Sequence, residues 1–322
     1  MKNRNTVLVV LVLLCFVLVS AVFYTVWGFR TDSTAETSEN AEELQERYIT
    51  YNGKKYKINT DIRTVLFMGI DKDLPATVEG EMGTAGQADS LNLLILDTKE
   101  KTGKVLQISR DSMTNIDVYD ESGEKVMTAD GQICLQYAFG DGEKRSCRLT
   151  SEKVSELLGG IDIDQYISLT LDGFQVAADA VGGIPITIPE DYTDIDPVFS
   201  QGAELVLNGE MAEKYVRSRD TDVLDSNNDR MNRQSQFIKA LADRLSDMDI
   251  TAGQATDMYG QLAPYMATNM TADDFYKLAS YTVSNEIEQI PGEVIEKDGH
   301  AQYIVDAEGI RKLIVKEFYI DY

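Results

Sequence analysis

Arg217 and Arg219 in the segment YVRSRDTD, with Arg230 and Arg233 in DRMNRQSQ, set four guanidinium groups and the adjoining Gln234 close together in a chain of formal net charge -24. Arginines gathered in so acidic a protein point to neutralisation of a doubly anionic group such as a pyrophosphate, because the guanidinium fork matches phosphate oxygens in pairs. Residues two apart lie on one side of an extended segment but about 200° apart on a helix. Arg217 and Arg219 can therefore reach one ligand if the helix expected over residues 208–216 ends near Val216. Arg230, Arg233 and Gln234 follow at spacings of three and four, on one face near a helix N-terminus that itself favours anions. The alternative is a solvated salt-bridge patch with Asp220, Asp222, Asp225 and Asp229. Composition alone leaves both readings open.

A second group of polar residues falls at the ends of expected strands. Asp71 follows the strand over residues 64–70, Asp89 immediately precedes that over 91–96, and Arg110-Asp111 ends that over 105–109. Open α/β sheets place ligands along such an edge. Asp71 and Asp89 are hard oxygen donors suited to Mg²⁺, which takes one or two carboxylates and completes its shell with phosphate and water. A single Asp at a strand end can equally serve a turn or a cap. Asp111 has a supporting role, either orienting Arg110 or touching the ligand.

The elements that would position these groups alternate. A turn at Lys101-Thr102-Gly103 joins the second and third strands, and helical spacing runs over residues 149–158 until Gly159-Gly160. Residues 166–171 and 184–188 read as extended, 174–181 as helical, and 231–245 as a helix with Phe237, Ile238, Leu241 and Leu245 on one face. Further helices are expected over 252–265, 272–283 and 307–318, with a short extended piece near 287–295. The plan is an α/β fold, a sheet with helices on its faces, forming one domain over residues 49–322.

Residues 6–27 are apolar and uncharged, about the 20 residues that cross a bilayer as a helix. Lys2 and Arg4 precede them and acidic residues follow, so residues 1–5 are expected in the cytoplasm, residues 28–48 as a solvated tether, and the remainder outside the cell. The acidic charge argues against nucleic acid as a partner. In an oxidising compartment Cys134 and Cys147 are expected to form a disulfide closing the AFGDGEKR loop, worth about 2–4 kcal/mol. The sole histidine, His300, sits in a turn and offers no basis for a Ser-His-Asp triad.

The ordered motifs GID, ADS, SRD, LQYAFGDG, LGGIDIDQYISL, DAVGGIPITI, LNGEMAEKYVRSRD and DRMNRQ, over roughly residues 60–245, resemble the LytR-CpsA-Psr family of cell-envelope proteins. The resemblance implies a three-layer α/β/α fold with a central mixed sheet behind one membrane helix, holding a polyprenyl-pyrophosphate-linked glycan with Mg²⁺ on the pyrophosphate. The lipid tail would occupy an apolar tunnel, for which the helices over residues 149–158, 174–181 and 231–245 are candidates, although their residues would equally form an ordinary core. The implied reaction is phosphotransfer to a peptidoglycan hydroxyl with release of polyprenyl phosphate; teichoic acids and capsular polysaccharides are the family's usual cargo. Carried over by motif, Asp71 and Asp89 fall near metal or pyrophosphate, and Arg110, Arg217, Arg219, Arg230, Arg233 and Gln234 on the pyrophosphate, with Asp89, Arg110, Arg217 and Arg219 as the catalytic set. Gln87 stands where the family often has Arg, so a hydrogen bond to phosphate is expected there in place of a cation. A membrane-tethered, non-catalytic binder of lipid pyrophosphate is the alternative.

Overall fold

The computed structural model describes residues 48–72, 85–120, 122–218, 226–297 and 300–322. The expected membrane helix and most of the tether lie outside the described residues, and no described helix is long and apolar enough to cross a membrane. The chain divides into two compact units, one running to Ile58 together with Asp321–Tyr322, the other Asn59–Ile320. In the smaller unit β1 (Tyr48–Tyr51) and β2 (Lys54–Ile58) form an antiparallel hairpin. Tyr48 and Tyr322 meet edge to face, with the Lys55 ammonium over both rings.

The larger unit is built on a six-stranded mixed sheet. Its first three strands in sequence are β3 (Ile62–Ile70), β4 (Ala88–Asp97) and β5 (Thr102–Ile108), a meander in which β4 runs against both neighbours. Near-continuous apolar runs in β3 and β4 suit strands covered on both faces. Two strands, β6 (Met113–Tyr119) and β7 (Lys125–Gln132), then form a separate hairpin, and a 3₁₀ segment, Ile133–Phe139, leads into α1 (Lys144–Leu157). Gly159 and Gly160 adopt positive φ and return their N–H groups to Glu156 and Ser155, ending α1 where two glycines can take the left-handed turn. Strand β8 (Gln165–Thr170) pairs parallel to β3 and passes directly into α2 (Leu171–Ala180). A short hairpin, β9 (Ile184–Thr187) and β10 (Glu204–Leu207), precedes α3 (Gly209–Arg217), whose cap Asn208 accepts from Met211 N–H at 3.0 Å.

The longest helix, α4 (Ser226–Asp247), is followed by α5 (Ala252–Leu262), β11 (Met266–Thr268), α6 (Ala272–Leu278) and β12 (Thr282–Gln289). The order across the sheet is β11-β8-β3-β4-β5-β12. A last hairpin, β13 (Gly292–Lys297) and β14 (His300–Val305), and α7 (Ala307–Phe318) complete the unit. On one face Val65, Phe67, Leu94 and Leu169 join Phe174 of α2 with Phe237 and Ile238 of α4 in one buried cluster. The opposite face meets other elements: Tyr137 reaches Ser168 at 3.2 Å, and Lys104 pairs with Glu317 of α7 at 2.6 Å. The sheet is thus mixed and carries helices on both sides.

Four expectations need correction. Residues 279–283 are not helical, because α6 ends at Leu278 and the chain enters β12, parallel to β5 at the sheet edge. Thr102 and Gly103 belong to β5 rather than to the preceding turn, where Lys101 takes the positive φ. The helix near residues 149–158 packs on β8, β11 and the 3₁₀ segment, away from the face that α4 covers. Finally, Cys134 and Cys147 are free thiols, both fully buried. The Cys134 sulfur lies against Arg110, whereas that of Cys147 reaches the Ala267 carbonyl at 3.8 Å. Burial pushes each thiol up to about 12, with Arg110 partly opposing this at Cys134 and hydrogen bonds partly opposing it at Cys147.

A buried polar chain registers α4 on the sheet. Gln107 Nε2 donates to Ser235 Oγ at 2.6 Å, Ser235 Oγ donates to Asn92 Oδ1 at 2.5 Å, and Asn92 Nδ2 donates to Ser90 Oγ at 2.8 Å. Ser235→Ala would strand an acceptor on Asn92 and a donor on Gln107, a cost of about 1–3 kcal/mol that urea denaturation reads as a lower midpoint. Alkylation after unfolding without reductant is expected to label both Cys134 and Cys147; protection of the pair would restore the disulfide.

Candidate functional site

Strand direction assembles the site. Because β4 is antiparallel to β3 and β5, its start lies beside their ends: Ile70 pairs with Ala88 and Leu91 with Ile108. Parallel β8 ends there too, with Ile70 opposite Thr170. Asp71, Asp89, Arg110 and the first residue of α2, Leu171, consequently meet at one edge. Val216 and Arg217 from the end of α3 and Arg230 and Gln234 from the first turns of α4 close over them, enclosing a cavity of about 380 Å³. Gly69 permits the apolar wall: a Cβ there would sit 3.0 Å from that of Ser90 and 3.3 Å from the Phe174 ring.

Asp89 is the electrostatic centre. It is 5% exposed, its Oδ1 engages Arg110 Nη1, and its Oδ2 accepts from Arg230 Nη2 at 2.9 Å. The Arg110 guanidinium is held on further sides by Gln87 Oε1 at 2.6 Å, Cys134 Sγ at 3.2 Å and Asp111 Oδ1 at 3.5 Å from Nε. Gln132 Nε2 steadies Asp111 in turn at 2.9 Å. Burial alone would weaken the charge on Arg110; the fields of Cys134, Asp89 and Asp111 more than reverse this and hold its pKa above the ordinary value. With Cys134 protonated at neutral pH, the carboxylates carry that effect. The cation is therefore permanent and fixed in direction.

The helix-borne residues divide. Arg230 and Gln234, four apart on α4, face the cavity. Gln234 Nε2 donates to the Val216 carbonyl at 3.0 Å, tying α4 to the end of α3. Arg233 turns the other way: Nε donates to the Tyr215 carbonyl at 2.8 Å, Nη2 to that of Ser218, and the guanidinium carbon lies over the Tyr192 ring, 4.9 Å from its centroid. It does not line the cavity; it satisfies C-terminal carbonyls of α3, the place where a helix lacks intrahelical donors. Arg217 is the last residue of α3 and lines the rim, paired with Glu213 at 2.9 Å. Glu213, which Gln175 also engages, escaped the sequence reading although its spacing of four from Arg217 is a helical ion-pair signal. Cys134 had no such signal. Arg219 lies outside the described residues.

Asp71 and Asp89 line the same cavity, a donor set that suits Mg²⁺ when phosphate oxygens supply the rest of the shell. Each Asp89 oxygen keeps a second lone pair beyond its guanidinium. Among the described residues no three His, Cys, Asp or Glu cluster as a metal site independent of a ligand. A separate apolar cavity of about 80 Å³ lies between the sheet and α4, lined by residues such as Phe67, Leu94, Leu169, Ile238, Leu241 and Leu245. Phe174 stands between the two: it lines the polar cavity and meets Phe67 edge to face, with ring centroids 6.0 Å apart.

The sequence profile described as the LytR_cpsA_psr family matches residues 24–317. The chain is 30% identical over 243 residues to the Bacillus subtilis polyisoprenyl-teichoic acid–peptidoglycan teichoic acid transferase TagV, a match covering 73% of this chain and 57% of TagV. It is 27% identical over 259 residues to TagU of Bacillus licheniformis, which is named for the same activity, covering 80% of this chain and 74% of TagU. The chain thus spans little over half the length of TagV and about three quarters of that of TagU. Among solved structures, TagT bound to LI-WTA superposes with a TM-score of 0.60 at 23% identity, over 80% of this chain and 89% of TagT, a likeness in fold. With the family profile running through nearly all of the folded part and the strand-end motifs meeting in one cavity, this chain belongs to the LytR_cpsA_psr family.

Proposed function

We propose that this chain transfers a glycopolymer from a polyprenyl-pyrophosphate carrier to a hydroxyl of peptidoglycan. The observation that carries the reading is one cavity holding Arg110, Arg217 and Arg230 with Asp71 and Asp89 at the strand ends. Arg110 and Arg230 share one carboxylate, Asp89, and Arg217 stands at the rim, so guanidinium groups line the wall that an anionic ligand would meet, and the arginines are held in place before it arrives. TagV and TagU, the relatives, are named as teichoic acid transferases acting on peptidoglycan, and TagT carries LI-WTA.

In the reaction the acceptor oxygen attacks the phosphorus bonded to the sugar. The bond from that phosphorus to the bridging oxygen breaks, its electron pair leaves with polyprenyl phosphate, and the hydroxyl proton is lost to solvent. Arg110 and Arg230, fixed on Asp89, set their guanidinium charges beside the diphosphate, and Arg217 meets it from the rim, so charge growing on the phosphoryl and leaving oxygens finds cations already oriented. Arg219 would join them from the segment after α3. Mg²⁺ held by Asp71, Asp89 and phosphate oxygens would supply Lewis-acid stabilisation of the same charge. Gln234 keeps the α3–α4 junction closed around the ligand, and Arg233 acts one step back, through the end of α3.

The polyprenyl chain belongs in the apolar cavity past Phe174. At about 80 Å³ that space holds only a short piece of such a chain, so α4 side chains such as Leu241 and Leu245 would have to yield as the lipid enters. The apolar residues 6–27 would anchor the protein in the cell membrane with the folded part outside.

The test is release of polyprenyl phosphate by the full chain in detergent, given a polyprenyl-pyrophosphate sugar, an acceptor glycan and Mg²⁺. Saturable binding with no release would make the protein a non-catalytic binder. Arg110→Ala is expected to slow release about 100-fold or more, the scale for losing one oriented oxyanion donor; wild-type turnover would remove Arg110 from the mechanism. Chelation with EDTA should suppress release and added Mg²⁺ restore it. A rate indifferent to chelator would exclude the metal.

A further inference from the structure

Gln87 occupies a junction. Its backbone carbonyl accepts from both Asp71 N–H and Asp89 N–H, each at 3.1 Å, where the β3–β4 register shifts between Gly69 and Ile70. One peptide oxygen thereby ties together the two acidic residues of the site. Its side chain performs a second task. Oε1 accepts from Arg110 Nη2 at 2.6 Å and faces the Cys134 thiol at 3.8 Å, while that sulfur itself accepts from Nη2 at 3.2 Å. Two donors on one oxygen fix the orientation of the amide. Nε2 must then point away from Arg110, and the residue lines the cavity.

We propose that Gln87 is the positioning residue for Arg110 and, through Nε2, a neutral donor to the diphosphate. This rests on the transfer reading for its kinetic consequence but not for its binding consequence. Asp89 binds Nη1 and Asp111 lies 3.5 Å from Nε; Gln87 and Cys134 catch Nη2, the one terminal nitrogen that these carboxylates leave, and complete the setting of the plane. An amide suits this better than a charged group. A carboxylate at residue 87 would hold Arg110 as well but repel the ligand, and a cation would offer Arg110 no acceptor. The acceptor half of the amide serves geometry, and the donor half serves affinity.

Two variants separate the halves, and both keep the backbone carbonyl. Gln87→Met removes acceptor and donor at nearly the same length; Gln87→Glu keeps an acceptor opposite Arg110 and replaces the donor by negative charge. Calorimetric titration of the full chain with inorganic pyrophosphate is expected to give about tenfold weaker binding for Gln87→Met, the scale of one hydrogen bond to a charged group, and a larger loss for Gln87→Glu. In turnover the Gln87→Met loss should fall in kcat as well as KM, as Arg110 loses its orientation and the ligand a donor, and the Gln87→Glu loss mainly in KM. Unchanged thermal midpoints would show that neither effect is a folding defect, and if Gln87→Met fails to fold, Gln87→Glu still carries the affinity arm. A Gln87→Met protein with wild-type pyrophosphate affinity and kcat would overturn the proposal. A wild-type protein that binds pyrophosphate without releasing polyprenyl phosphate would count against transfer alone, and the affinity ratios would then decide the role of Gln87.

Discussion

A single carboxylate with a guanidinium on each oxygen organises this protein. Asp89 is almost fully buried, and its partners come from different places: Arg110 from the end of a neighbouring strand, Arg230 from the helix that covers the sheet. Burying such charges is costly unless every one is paired, and removing one partner from a buried pair costs about 3–5 kcal/mol. The triad therefore makes sheet edge and covering helix interdependent. It also holds two guanidiniums in the wall of a cavity open to an anion, so the contact that closes the fold prepares the site.

The covering helix α4 carries three kinds of interaction along its length. Arg230 and Gln234 face the polar cavity, Ser235 is locked to Asn92 and Gln107 within the sheet, and Ile238, Leu241 and Leu245 bound an apolar cavity. Helical geometry places these in order from ligand to core, with Phe174 between the polar and apolar spaces. An amphiphile with a diphosphate head and a hydrocarbon tail has the same order. Arg233, on a neighbouring face of the same helix, shows how one turn of offset changes a role: it satisfies the carbonyls at the end of α3 instead of facing the ligand.

Acidic and amide side chains recur behind each cation. Asp111 and Gln132 stand behind Arg110, and Glu213 with Gln175 behind Arg217. Arginine side chains have many rotamers, and a site that must meet two phosphates at once gains from having that freedom removed beforehand. The wholly buried Cys134 belongs to the same support. Its thiol, held protonated by burial, is a soft acceptor for Arg110 rather than a nucleophile or a disulfide half.

The sequence alone placed the strand-end acids and Arg110 at one sheet edge, because strand periodicity and turn residues mark where such an edge falls, whereas it left the arginine-rich approach to α4 open between a phosphate site and a salt-bridge patch, and only the family resemblance of the motifs favoured the phosphate. It also gave the boundaries of α7 and most of α4, whose apolar spacing is unambiguous. It could not say that residues 279–283 leave α6 for an edge strand, since the partner that makes Thr282–Gln289 extended is β5, far away in the chain. Nor could it decide whether Cys134 and Cys147 meet, which depends on the 3₁₀ segment and α1 carrying their sulfurs to different partners. The division of labour between Arg230 and Arg233 was likewise beyond it, because helical spacing gives relative angle but not which neighbour lies at each angle. Local pattern fixes what each segment is; which groups share a dielectric environment, and hence which charges pair, is decided only when distant segments pack.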